Sequence, residues 1–185
     1  QAVWKSASKH WGTIARAGGA ALTIAKVTPS PMVTGVTKLG RAVLGADTVP
    51  LYAADLPRGG HKRRPLAAVD PVAVYFPACI GTMFGPAARG QGVSDAFLAL
   101  CRRADVQVMI PDGIGAFCCG TPWKSKGYSA GYEDTTDTVL PALWAASRDG
   151  ELPNVCDAAS CTAGLETLGD LAANAGGLFN RLRVG

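Results

Sequence analysis

An α/β fold, built as a small parallel sheet of βαβ units behind a helical extension and a linker, is what three features of this sequence predict. From Asp70 onward, short β-branched and apolar runs alternate with helical segments, the signature of a parallel sheet. Ahead of them, residues 3 to 26 carry apolar side chains at helical spacing. Between the two lies a stretch rich in proline and glycine. A chain of 185 residues is long enough to bury a real core.

In the extension, Trp4, Trp11, Ile14, Ala15, Leu22 and Ala25 share a face, with Lys5, Lys9 and Arg16 on a flank away from it. Gly18-Gly19 is the weak point, and two helical segments hinged near Gly18 are expected. Thr28, Pro29, Ser30 and Pro31 end the region, and a second short helix follows across Val33 to Leu44. The division is residues 1–46 as a basic helical extension, 47–69 as a linker and 70–185 as a cysteine-rich domain. In the linker, His61 reads as solvated, within the run His61-Lys62-Arg63-Arg64. Within the domain, Val72 to Phe76 is the first strand, and a helix capped by Ser94 runs to about Ala104. Val106 to Ile110 is the second strand, followed by the tight loop Pro111-Asp112-Gly113-Ile114-Gly115. Helix covers roughly Lys126 to Ser147, with Pro141 near a helix start or at a kink. A short third strand, Asn154 to Cys156, leads to a last helix through about Ala173, giving a Rossmann-like order of elements.

Charge divides the chain. Residues 1–64 hold ten Lys/Arg against Asp47 and Asp55, a net of +8, whereas residues 65–185 hold eight against twelve acids, a net of −4. The basic half is either a solvated helical surface or a dock for an acidic partner or an anionic membrane face. No recognition motif accompanies its dispersed cations, so nucleic acid is not an expected partner. With 48% hydrophobic and 17% charged residues, part of the apolar surface is expected to meet another domain or subunit. Gln1 at the start and Gly185 directly after Phe179, Leu182 and Val184 read as the ends of a fragment. The longest uncharged run, Pro71 to Ala88, contains Pro71, Pro77, Pro86, Gly81 and Gly85, which break any spanning helix. The weak extension helix needs a partner surface, and Trp4 and Trp11 are expected to pack on protein rather than lipid.

In a parallel sheet the strand-to-helix loops converge outside the carboxyl ends of the strands. Cys79, the pair Cys118 and Cys119, and Cys161 lie beyond the ends of three strands, so three loops deliver four thiols to one edge. Cys156, at the end of the third strand, can approach the same place, while Cys101, four residues after Phe97 in a helix, reads as a buried inert thiol. Four cysteines without a nearby histidine suit tetrahedral zinc or an iron-sulfur cluster. Zinc knuckles use short Cys-x-x-Cys spacings, whereas 38 residues separate Cys79 from Cys118 and 35 separate Gly120 from Cys156. Adjacent Cys118 and Cys119 chelate one small ion with difficulty, and a larger cluster accepts both. Free core thiols and a disulfide framework are the remaining readings.

Cys79, a long spacer, Cys118-Cys119-Gly120, a second spacer and a terminal cysteine resemble the cysteine-rich CCG domain. That domain occurs in heterodisulfide reductase and in the iron-sulfur subunits of glycolate oxidase and anaerobic glycerol-3-phosphate dehydrogenase. The strings Tyr75-Phe76-Pro77-Ala78-Cys79, Cys118-Cys119-Gly120-Thr121-Pro122-Trp123-Lys124-Ser125-Lys126-Gly127 and Asp157-Ala158-Ala159-Ser160-Cys161-Thr162 look most like the carboxy-terminal part of bacterial FAD-linked D-lactate dehydrogenases of the cytochrome type. The resemblance covers residues 71 to about 170. The full motif closes with Cys-x-x-Cys, and here Ala158 stands three before Cys161; Cys156, five before, is the candidate substitute.

The resemblance implies an iron-sulfur electron-transfer domain, of 4Fe-4S type, in a flavoenzyme oxidising a 2-hydroxy acid such as D-lactate or glycolate. Cys79, Cys118, Cys119 and Cys161, with Cys156, are its implied metal ligands. FAD would sit in another part of the parent protein, together with a second cysteine-rich copy, and a quinone or cytochrome would accept the electrons. The location it implies is cytoplasmic, or peripheral at the inner face of the membrane. No dinucleotide glycine fingerprint is present, so this piece alone is not expected to be catalytic. Amides at helix starts after Cys79, Gly120 and Cys161, with Lys124 and Lys126, would favour an added electron. The competing reading is a structural or docking module with a zinc-bound or vestigial thiol site.

Overall fold

The computed structural model describes residues 2–46, 49–87, 90–174 and 184; of these, the side chains of residues 2–4 and 172–174 are outside the described set. Along them the chain forms α1 (Ala2–Lys9), α2 (Trp11–Val27), α3 (Ser30–Leu44), β1 (Ala73–Phe76), α4 (Ile80–Met83), α5 (Val93–Arg103), β2 (Val108–Met109), α6 (Thr121–Ser125), α7 (Ser129–Ala146), β3 (Asn154–Cys156) and α8 (Ala159–Asn174). The fold is mixed α/β, and its sheet is parallel throughout with strand order β2-β1-β3.

β1 sits between its two neighbours, with Val74 opposite both Met109 and Asn154, and Phe76 opposite Cys156. A strand flanked on both sides and covered on both faces must be apolar at every position. Ala-Val-Tyr-Phe meets that demand, with Val74, Tyr75 and Phe76 at 0% exposure. Val72 and Val106, included in the expected strands, are instead 56% and 38% exposed and lie outside the ladder. Leu143 from α7 and Leu165 and Leu168 from α8 fill the core beside Val139 and Ile114. Cys101 of α5 is buried in the same core. α7 continues through Pro141; the residue whose carbonyl loses its amide partner, Asp137, is exposed, so water can satisfy that group. Gly127, with φ +70, separates α6 from α7, and α7 therefore starts three residues later than the sequence suggested.

The extension and the linker both lie against this core. α1 rests on α7, where the Ser8 hydroxyl donates to Asp134 Oδ2 at 3.0 Å. α2 rests on α4 and runs unbroken through Gly18 and Gly19, which corrects the expected hinge; the break falls at His10, between α1 and α2. The glycines serve contact rather than flexibility. A Cβ on Gly19 would stand 2.5 Å from the Thr82 carbonyl oxygen, and one on Gly59 would run into the Gly19 backbone. The Pro/Gly-rich stretch is thus packed where it passes α2 and α4, and Leu66 and Ile110 exchange backbone hydrogen bonds at 3.1 and 2.9 Å. Trp11 packs edge-on against Trp123, with ring centroids 5.2 Å apart, so its partner is protein as expected; the Trp4 side chain lies outside the described residues. His61 is exposed, with Nδ1 3.0 Å from Asp95 Oδ2.

α3 differs from the other helices of the extension. Met32, Val36, Leu39 and Val43, spaced along one face, are 65–73% exposed. Its other side is tied to the following loop, with the Tyr52 amide donating to Thr37 Oγ1 and Arg41 to the Val49 carbonyl. Among the described residues no helix is long and apolar enough to cross a membrane.

Two glycine substitutions are expected to have effects of opposite sign. By helix propensity alone, Gly19→Ala and Gly35→Ala should each stabilise by about 1 kcal/mol. At Gly35 nothing lies within 4 Å of an added Cβ, so Gly35→Ala is expected to raise the urea midpoint. At Gly19 the added methyl meets backbone, and overpacking is expected to lower stability by about 1–3 kcal/mol.

Candidate functional site

Three loops leave the carboxyl ends of the three strands, and each carries cysteine. Cys79 is the residue immediately before α4; Cys118 and Cys119 end the loop between β2 and α6; Cys161 lies in the first turn of α8. Their exposures are 7, 3, 2 and 5% in that order, and every described cysteine is a free thiol. The loops are brought close by local fit. Gly120, with φ +84, turns the chain from Cys119 directly into α6 in a conformation that other residues rarely adopt. On α8, a Cβ at Gly164 would stand 2.6 Å from the Cys119 carbonyl oxygen, so that helix also touches the Cys119 loop.

The four thiols lie as a chain of neighbours, Cys79 beside Cys118, Cys118 beside Cys119, and Cys119 beside Cys161, each shifting the acidity of the next. Hydrogen bonding to Cys118 pulls Cys79 below the ordinary thiol range, against the penalty of burial. Cys119 is pulled down by Cys118 and then by Cys161. Cys118 and Cys161 are pushed up, each first through its hydrogen bond to Cys119. The four thiols thus differ in acidity, Cys79 and Cys119 shifted one way and Cys118 and Cys161 the other. Among the described residues no three Cys, His, Asp or Glu side chains are arranged to hold a metal ion as they stand. Cys156, half-buried at the end of β3, is apart from this chain, and burial pushes it up to about 12.

Groups outside the expected ligand set complete the site. The Arg63 guanidinium donates through Nη1 to the Pro77 carbonyl at 3.0 Å and through Nη2 to the Phe117 carbonyl at 2.7 Å. It thereby spans the loops that carry Cys79 and Cys118. Burial lowers its pKa, while the nearby Cys79, Cys118, Cys161 and Asp157 oppose that shift. Asp157 ties β1 to the β3 loop, accepting from the Tyr75 hydroxyl and from the Ala78 amide, each at 2.7 Å. The Thr121 hydroxyl donates to the Ser160 carbonyl at 2.7 Å and lies 3.4 Å from Cys119 Sγ. Two further donors are buried without a well-formed hydrogen bond, Trp11 Nε1–H and the Tyr132 hydroxyl. The first is close enough to favour a Cys79 thiolate; the second belongs to a ring that packs on Gly120 and feels the charge of Cys119. Lys124, expected beside the site, donates to Thr167 Oγ1 at 2.9 Å on the exposed side of α8.

Of these, Asp157, Thr121 and Lys124 carried a signal, since they sit inside strings that match the resembled motif. Arg63 is indistinguishable in sequence from its neighbours Lys62 and Arg64, and Trp11 was legible as a packing residue but not as a donor.

Cys156 gives a pH test. Its folded pKa is raised from 9.0 to about 12, so its stabilising contribution is complete below pH 9 and is lost as pH rises toward 12. The stability difference between the native chain and Cys156→Ala, read from urea midpoints, is expected to hold constant from pH 7 to 9. It should shift against the native chain between pH 9 and 11. No family model matches this chain, and neither a curated protein nor a solved structure matches it, so the chemistry of the site rests on its own residues.

Proposed function

We propose that residues 70–185 are a Rossmann-like, CCG-type iron-sulfur electron-transfer domain of a FAD-linked 2-hydroxy-acid dehydrogenase, passing electrons from flavin toward a quinone or cytochrome. The observation that carries this reading is the convergence of four buried thiols from three strand-end loops, each close enough to shift the acidity of the next. Their chemistry fits the group. Thiolate is the ligand such clusters take, and four cysteines brought to one edge of the sheet supply it. The fit extends to the surroundings, because the buried Trp11 N–H and Tyr132 O–H are without a well-formed acceptor and Arg63 brings a cation. Donors and cations of this kind stabilise negative charge on sulfur and thereby raise a reduction potential.

When bound, a 4Fe-4S cluster would supply one-electron transfer, with Cys79, Cys118, Cys119 and Cys161 as ligands. Cys156 stands nearby as the alternative to the cysteine that Ala158 replaces. FAD and the hydroxy-acid site belong, on this reading, to the parent protein, which works in the cytoplasm or at the inner face of the membrane. A second reading, a docking module, draws on the exposed stripe of α3.

Anaerobic reconstitution of the full chain with ferrous iron and sulfide separates the two. Electron transfer predicts retained iron and sulfide with broad visible absorption, most of it lost in Cys118→Ala and Cys161→Ala and unchanged in Cys101→Ala. Retention of zinc alone, or of no metal, would favour docking.

A further inference from the structure

We infer that Arg63, contributed by the segment ahead of the cysteine-rich domain, is the positioning residue of the thiol site: it clamps two cysteine loops together and lends the site a positive charge. The first half of this inference stands on geometry alone; the second rests on the iron-sulfur reading above.

Three observations carry it. Arg63 makes its two hydrogen bonds to the carbonyls of Pro77 and Phe117, two residues before Cys79 and one before Cys118. These loops are 38 residues apart in the chain, and the guanidinium spans them with a rigid, planar fork. Next, the path of the chain on either side of Arg63 is fixed. Gly60 donates to the Thr82 carbonyl at 3.1 Å, Gly59 meets Gly19, and Leu66 pairs with Ile110. The segment is thus anchored three residues before and three after Arg63, so the side chain enters the site from a held backbone. Finally, Arg63 is partly buried while its neighbours Lys62 and Arg64 are exposed, so one cation of the run turns inward. Four ligating thiolates would build up negative charge in a place where water screens poorly, and a neighbouring cation offsets it. Lysine in this place would keep the charge but not the fork, because an ammonium is a point charge that cannot hold two carbonyls in one plane.

The clamp and the charge have separate tests. In the metal-free full chain, hydrogen exchange should speed up at amides of residues 78–82 and 116–120 in both Arg63→Gln and Arg63→Lys. Arg64→Gln, an exposed control, should leave those amides as protected as in the native chain. In chain reconstituted with iron and sulfide, Arg63→Gln should shift the midpoint potential to more negative values, and Arg63→Lys should restore it toward the native value despite its loosened loops. Unchanged exchange in Arg63→Gln would overturn the clamp. A potential shared by the native chain and Arg63→Gln, or a shift in Arg64→Gln as large as in Arg63→Gln, would overturn the charge role. Failure of the native chain to take up iron would refute the proposed function while leaving the exchange experiment to decide whether Arg63 is a clamp.

Discussion

Parallel pairing of β1 with both neighbours is the constraint from which the rest of the molecule follows. Because all three strands run the same way, each loop that leaves the sheet does so at one edge, and any residue placed just beyond a strand arrives there. The central strand can hold this position because its whole length is apolar and buried. A polar residue at Val74 or Phe76, both fully buried, would leave an unsatisfied group in the core, a cost on the order of 1–3 kcal/mol. Cys79, Cys118, Cys119 and Cys161 thus meet through topology, although they lie far apart in sequence.

Topology alone would leave the loops free to separate, and three polar ties hold them. Asp157 joins the Cys79 loop to the β3 loop, Thr121 joins the Cys119 turn to the start of α8, and Arg63 joins the Cys79 and Cys118 loops. Each tie links a side chain to a backbone group in another loop. Such bonds contribute about 1 kcal/mol apiece, more where a charge takes part, which is small against the core but enough to fix loop positions. The extension closes the same region from outside, with Trp11 against Trp123 and α2 against α4. Parts that composition separates into extension, linker and domain therefore share one thiol site.

How much of this was legible in the sequence follows from the kind of signal each part leaves. The buried run at Ala73–Phe76 and the positions of four cysteines after strand ends are one-dimensional patterns, and they survived translation into three dimensions. The expected strands ran too long because Val72 and Val106 are β-branched yet lie beyond the last ladder pair. Gly18-Gly19 looked like a hinge because glycine is weak in an isolated helix. In the folded chain Gly19 is where α2 meets α4 and residue 59, a contact that no local pattern encodes. Arg63 was hidden for a similar reason. A cation in a Pro/Gly-rich run has no periodicity to show which side faces inward, and its acceptors, Pro77 and Phe117, come 14 and 54 residues later.

Thiols from separate loops converge at the carboxyl edge of the sheet. The direct measurement is bifunctional alkylation of the reduced, metal-free chain with dibromobimane, which bridges only sulfurs in near contact, followed by peptide mapping. Cross-links are expected between Cys79 and Cys118 and between Cys119 and Cys161, with none involving Cys101. Bridging confined to the sequence neighbours Cys118 and Cys119, or reaching Cys101, would contradict it.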